Sequence, residues 1–472
     1  MEKGLKDALA LMGGAVTYTN GALAIADPRV ITSEALDGLV RQAVFAADHD
    51  ERDWARWLIW ELAQERGSGP ASIHGLYMAM GEGKTGGFTV PAINIRILSY
   101  DTARAVFRAA RARNAGAILC EIARSEMAYT DQRPGEYATV ILAAALREGF
   151  PGPVFIQGDH FQVNHKKYAA DPEAEVGAIR TLIEEALPAG FFNIDIDTST
   201  LVDLAHDTLD AQQAVNYGRA AELTQFIRDR EPAGVTVSVG GEIGEVGGKN
   251  STVEELVAFM DGYNRSLAAR GAYTGLSKIS VQTGTSHGGV VLPDGSIAEV
   301  KLDLRALEAL SLAARTRYRL AGAVQHGAST LPENAFGQFP TCGACEIHLA
   351  TNFQSMVFDH PALPADLRER LRSWTFANCA GERGAKDSDE QFYYKSRKKA
   401  IGPHKRELWD LPASVRETIA ADLEARFGFL FDQLKVSGTA DAVARHVRPV
   451  AIRHAAPAKA AVAAPDDADA GE

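Results

Sequence analysis

Between residues 88 and 350 short apolar runs alternate with longer segments whose apolar positions recur every third or fourth residue. The runs are FTVPAINI (88–95), GAILCEI (116–122), GPVFIQGD (152–159), GFFNIDID (190–197), GVTVSVGGEI (234–243), SKISVQTGTS (277–286), LAGAVQH (320–326) and GACEIHLA (343–350). Short apolar runs in such an alternation read as the strands of βα units. Stretches such as TARAVFRAARARN and VGAIRTLIEEALPAG lie between them and read as amphipathic helices. Eight strands alternating with helices predict an α/β fold, a (β/α)8 TIM barrel over residues 86–352. A doubly wound open sheet fits less well, because no G-x-G-x-x-G follows the first strand.

The flanks follow the helical period. Residues 1–85 read as a helical N-terminal extension, in which ERDWARWLIWELAQE carries Trp54, Trp57, Leu58 and Leu62 on one face. Residues 353–452 read as a helical C-terminal region, and 453–472, rich in Ala, Pro and Asp, as a disordered tail. The Gly-Lys-Thr of GEGKTGGF (81–88) lacks the first glycine of a phosphate loop and precedes a strand, so it is not read as one.

Composition narrows the function classes. Among 472 residues, 46% are hydrophobic, which excludes a wholly disordered chain. A net charge of −12 argues against binding a nucleic-acid backbone. The longest apolar runs fall short of the roughly 18 residues needed to cross a bilayer, and MEKGLKDALALMGGAV makes a poor signal peptide. Four cysteines in so long a chain form no disulfide framework. The expectation is a soluble, cytoplasmic protein with no nucleic-acid or membrane partner.

In such barrels the reactive groups lie where strands give way to loops at the carboxyl-terminal face. There stand Asp159-His160 after the third strand, Glu242 after the fifth, His287 after the sixth and His326 after the seventh. Three imidazoles and a carboxylate on one rim suit a divalent ion such as zinc. Lysine ends none of strands three to seven, which disfavours a Schiff-base route. Asp195 and Asp197 end the fourth strand and are expected near the same rim. Cys342, Cys345 and Cys379 lack the partners of a zinc site, and His165 reads as a loop residue.

VPAINI, GDHFQ, GGEIGEVGG, TSHGG and QHGAST, in this order at eligible strand ends, resemble the motifs of the class II, metal-dependent ketose-bisphosphate aldolases, of the fructose- and tagatose-bisphosphate type. The resemblance covers about residues 88 to 350. It implies a (β/α)8 fold, Zn²⁺ or another divalent cofactor, His160, Glu242, His287 and His326 as metal ligands, and Asp159 as the acid/base for the C4 hydroxyl. It implies Asn94, Gly288, Gly327, Ser329 and Thr351 as substrate and phosphate contacts. The basic run Lys395–Lys399 with Lys405 and Arg406 reads as a solvated face, unless one of its cations reaches a substrate phosphate, as the resemblance allows. The implied reaction is reversible aldol cleavage of a phosphorylated ketose through a metal-stabilised enediolate, by a homodimer or homotetramer. Where the family carries a loop glutamate for carbon protonation, this chain has Lys249-Asn250, leaving Glu245 as the candidate substitute. The N-x-D-T motif of the last strand is replaced by His348-Leu349-Ala350-Thr351. A non-catalytic companion subunit of an aldolase and a barrel metal hydrolase are the alternative functions.

Overall fold

A computed structural model describes residues 2–244, 249–284, 292, 302–328 and 331–457. Ten strands are described: β1 (Val16–Thr19), β2 (Ala22–Ile25), β3 (Val90–Asn94), β4 (Leu119–Ala123), β5 (Phe155–Gln162), β6 (Asn193–Asp197), β7 (Ser238–Glu242), β8 (Lys278–Val281), β9 (Ala323–Gln325) and β10 (Glu346–Leu349). Strands β3 to β10 form a closed parallel barrel in sequence order, β10 pairing with β3. Each predicted run coincides with one barrel strand, although β4 continues to Ala123 and β5 to Gln162, beyond the ends of their runs. Helices such as Ser99–Ala112, Pro134–Arg147 and Leu209–Arg228 wrap the outside.

The N-terminal extension is mostly helical but holds one hairpin. β1 and β2 pair antiparallel across Asn20-Gly21, whose φ values of 53° and 80° are those of a two-residue primed turn. Asn-Gly between alternating residues was the signal for it, and four-residue strands are too short to stand out beside helical periodicity. The helix His49–Arg66 starts on Asp48, whose carboxylate accepts from the Asp50 N–H, and stops at Gly67 with φ 71°. It buries Trp54, Trp57, Leu58 and Trp60.

The residues after Val447 return across this helix. The Trp57 indole donates to the His454 carbonyl at 3.1 Å and Trp60 to that of Ile452 at 2.7 Å, while His454 stacks on Trp60 with centroids 3.8 Å apart. Arg453 pairs with Glu61 at 2.6 Å. Composition assigned residues 453 and 454 to the tail, but apolar stacking and a buried carboxylate fasten them. Below the barrel Ser68 Oγ donates to the Phe150 carbonyl at 2.7 Å, and Asn193 Oδ1 accepts from the Ile73 N–H at 2.9 Å. Among the described residues no helix is long and apolar enough to cross a membrane.

At the other end the C-terminal helices cover part of the mouth. Ala413–Gln433 packs on Ser99–Ala112. Asp389–Ser396 and the short 3-10 turn Arg397–Ala400 bring Tyr394, Lys395 and Lys398 to a cavity above the strand ends.

Candidate active site

The cavity measures about 500 Å³ and opens at the carboxyl-terminal face. Asn94 from β3, Asp159 and His160 from β5, His326 and Gly327 after β9, His348 from β10 and Thr351 beyond it all line the cavity. Parallel register explains the convergence: neighbouring strands end at similar heights, and residues two apart share a face. β5 departs from this at a bulge between Gly158 and Phe161. There His160 takes φ 42°, a left-handed conformation that histidine adopts at a cost. The bulge lets consecutive residues, Asp159 and His160, both serve the cavity.

His160, Glu242 and His326 present ligand atoms all within 4.8 Å of one another, as a cation site requires. The His160 and His326 rings lie 4.3 Å apart. His160 Nδ1 lies 2.8 Å from Asp197 Oδ2 and 3.3 Å from Glu242 Oε2. Asp197 thus fixes the imidazole from behind, as carboxylates do for histidines that bind metal. Burial pushes Glu242 up to about 7, with the neighbouring Asp197 charge adding to it. Burial would lower His160, but Asp159 and Glu242 outweigh it and hold the imidazole well above its usual range. His287, expected as the fourth ligand, lies outside the described residues, as do Glu245, Gly288 and Ser329.

Asp159 is buried and gripped on both oxygens. Oδ2 accepts from Asn94 Nδ2 at 2.9 Å, and Oδ1 lies 3.1 Å from His348 Nδ1. Burial alone would raise this carboxyl; the imidazoles of His160, His348 and His326 hold it well below the usual range instead. Asn94 also donates to Glu126 at 2.9 Å, and Glu126 pairs with Arg96. Asn250 donates to Asp303 at 3.2 Å, which ties it to the start of the helix Leu304–Tyr318.

Several contributors escaped the sequence reading. His348 stacks on His326 with centroids 4.0 Å apart, and with Asp159 and His326 it forms a second possible cation trio. Glu346-Ile347-His348 offered the signal: two ionisable residues with strand spacing face the barrel interior together. Arg96 and Lys398 bring positive charge to the cavity. The sequence does not single out Lys398 within its run, for which a solvated face and a phosphate contact are both open; it is half-buried, and its ammonium lies 5.5 Å from the Tyr129 ring. Burial, and then Arg96, lower its pKa. Lys395 fits the solvated-face reading, being exposed and paired with Asp387 at 2.7 Å, whereas Arg397 departs from it, being buried with its guanidinium 2.6 Å from Asp359. Asp195 lies deeper than the rim, against Lys278. His165 is exposed, and the four cysteines are free.

The family model described as "Fructose-bisphosphate aldolase class-II" matches residues 77–404. No curated protein matches the chain. Among solved structures it is similar to a fructuronate-tagaturonate epimerase from Cohnella laeviribosi (TM-score 0.55, 12% identity, 90% of each chain covered). It is also similar to a probable tagatose 6 phosphate kinase from Sinorhizobium meliloti (0.52, 16%, 75% of this chain and 100% of that one). A third likeness is to a fructose-bisphosphate aldolase from Campylobacter jejuni (0.44, 18%, 78% and 97%). At these identities the first two likenesses speak to the fold alone.

Proposed function

The chain belongs to the class II fructose-bisphosphate aldolase family, and on that premise we propose that it cleaves and re-forms a carbon–carbon bond in an anionic ketose, a sugar phosphate first of all. One observation carries the reading. Asp159, His160 and His326 share a cavity with the cationic groups of Arg96 and Lys398, which puts proton transfer and anion binding within one small molecule's length.

The donor set fits a divalent ion such as zinc: imidazole and carboxylate are its usual nitrogen and oxygen ligands, and Asp197 braces the ring of His160. When bound, such an ion acts as a Lewis acid on the ketose carbonyl. The remaining work belongs to the chain. Asp159, ionised at neutral pH, accepts the proton of the hydroxyl on the carbon that becomes the aldehyde, and returns it in the reverse direction. Asn94 and His348 hold its oxygens so that one lone pair on each remains for the substrate. Arg96 and Lys398 hold the anionic group, with the backbone N–H groups around Gly327 as further donors. Gly288, Ser329 and Thr351 join them by the family pattern, and Glu245 is the candidate for carbon protonation.

A second reading uses the same residues. The epimerase likeness spans 90% of both chains and so includes the extensions. An aldehyde fragment that turns over before re-addition would return the inverted epimer, with the carboxylate of a ketouronate in place of a phosphate.

The test is a panel of phosphorylated ketoses and ketouronates given to the zinc-loaded protein, with aldehyde release and epimer formation followed by NMR. Lys398→Met is expected to raise KM about 10–100-fold, the range for one charge-assisted hydrogen bond, with kcat little changed. Absence of both products from every sugar, despite bound metal, would favour the companion-subunit alternative.

A further inference from the structure

Barrel interiors of this architecture are filled mostly by branched apolar side chains, yet this one carries a charged layer directly beneath the cavity. Lys278, the first residue of β8, is 1% exposed. Its ammonium donates to Gln157 Oε1 at 2.8 Å and to Asp195 Oδ2 at 3.0 Å, and it pairs with Glu346. Glu346 Oε1 lies 2.7 Å from His348 Nε2, and the other nitrogen of that ring faces Asp159 at 3.1 Å. Four groups thus link the barrel interior to the cavity wall, with side contacts from Tyr77 and Gln157, which donate to Glu346, and from Glu121, whose Oε1 also lies 3.1 Å from His348 Nδ1.

The backbone is shaped for it. At Gly240 on β7 a Cβ would sit 2.8 Å from Lys278 Cε and would collide with Asp195. The first glycine of Gly-Gly-Glu242 therefore makes room for the ion pair rather than for a ligand. Lys278 is not among the residues lining the cavity, and its ammonium is spent on three partners, so it offers no amine to a carbonyl. A buried lysine with carboxylates around it is costly to assemble, and such networks persist where they fix a geometry.

We propose that Lys278 and Glu346 are positioning residues for proton transfer: Lys278 fixes Glu346, Glu346 fixes the imidazole of His348, and His348 fixes the carboxylate of Asp159. The inference rests on the reading of Asp159 as the acid/base. It follows the logic by which a catalytic base is held by an orienting group that is itself hydrogen-bonded.

Two substitutions break this link from different sides. Lys278→Met removes the cation and keeps the length of the stem; Glu346→Gln keeps the shape and leaves Lys278 paired with Asp195. In protein labelled with ¹⁵N-histidine, the signals of His348, assigned by their loss in His348→Gln, are expected to move in both variants, with zinc stoichiometry unchanged. On a substrate found by the panel, kcat is expected to fall on the order of 100-fold, the scale of acid–base assistance, with KM within about threefold. This split distinguishes positioning from loss of binding. Unmoved His348 signals, or native kcat in either folded variant, overturn the proposal. Failure of both variants to fold also overturns it, assigning the layer to stability alone. If the native protein turns over no ketose, the aldolase reading fails, and the histidine signals still decide whether Lys278 sets the position of His348.

Discussion

At the mouth of the barrel Asp159, His160, His326 and His348 crowd within hydrogen-bonding or stacking distance of one another. At the base, Trp57 and Trp60 from the helix His49–Arg66 lie beneath a returning segment that hydrogen-bonds to both indoles. The mouth accumulates charges that burial penalises, and the base accumulates apolar area that burial rewards. The mouth offsets part of its cost by pairing: Asn94 against Asp159, Asp197 against His160, Lys278 against Glu346. The contrast is between an end organised for chemistry, whose charges are held by one another and by a few neutral donors such as Asn94, and an end that supplies the stability to hold them.

The sharpest way to break the comparison is at Asp159. Asp159→Asn keeps the shape and one hydrogen-bonding oxygen but removes the charge. Turnover is expected to fall about 10²–10⁴-fold, while the unfolding midpoint stays near that of the native protein. Native turnover in this variant would move the proton-transfer role to another group and leave the charged mouth without its proposed purpose.

The opposite dissociation is expected at the base. Trp60→Ala removes a buried ring, its stacking on His454 and its hydrogen bond to Ile452. Denaturant unfolding should show a loss of about 3–5 kcal/mol, with KM and kcat unchanged in the protein that remains folded. A change in kcat comparable to the change at Asp159 would mean that the two ends are coupled.

The two ends were unequally legible in the sequence. Each run of apolar clustering holds most or all of one barrel strand, because a closed parallel sheet imposes that clustering on each strand, although β4 and β5 continue past their runs to Ala123 and Gln162. At the mouth, Asp159, His160, Glu242 and His326 were legible because they stand at strand ends beside glycine, and three of them come together as one cation trio. His348 and Lys278 were not. Each lies within a strand, where a charged residue reads as an exception to the apolar pattern, and only the register across five or six strands reveals that they face one linked set of partners. The sequence reading does not single out Arg96, and which basic residue of the C-terminal run faces the cavity cannot be read from the sequence, because it depends on neighbours: Asp387 holds Lys395 and Asp359 holds Arg397, while Lys398 lies against the Tyr129 ring. The Trp-rich face was legible as apolar, but not its covering, since residues 449–457 carry no periodic pattern.

The smallest expected effect separates the ends by pH. His74, at the start of the helix His74–Gly81 below the barrel, is mostly buried, and its Nδ1 has no hydrogen-bond partner among the described residues. Burial, and then the charge of Arg228, lower its pKa to about 4 from 6.5. Above pH 6.5 the imidazole is neutral in folded and unfolded chains alike and stability does not depend on it. As pH falls below 6.5 the unfolded chain takes up a proton that the folded chain refuses, so stability declines until about pH 4, where the folded form binds it too. A gap of this size sets an upper bound of about 3 kcal/mol, and a realistic share for a ring that keeps some contact with water is about 1–2 kcal/mol. Urea unfolding from pH 7.5 to 4 should therefore fall less steeply for His74→Gln than for the native chain, by a difference that grows below pH 6.5. The two proteins should share one kcat at pH 7.5, since His74 lies outside the cavity. Parallel curves would show that His74 binds its proton equally well folded and unfolded, and that the acid sensitivity of the fold resides at the charged mouth alone.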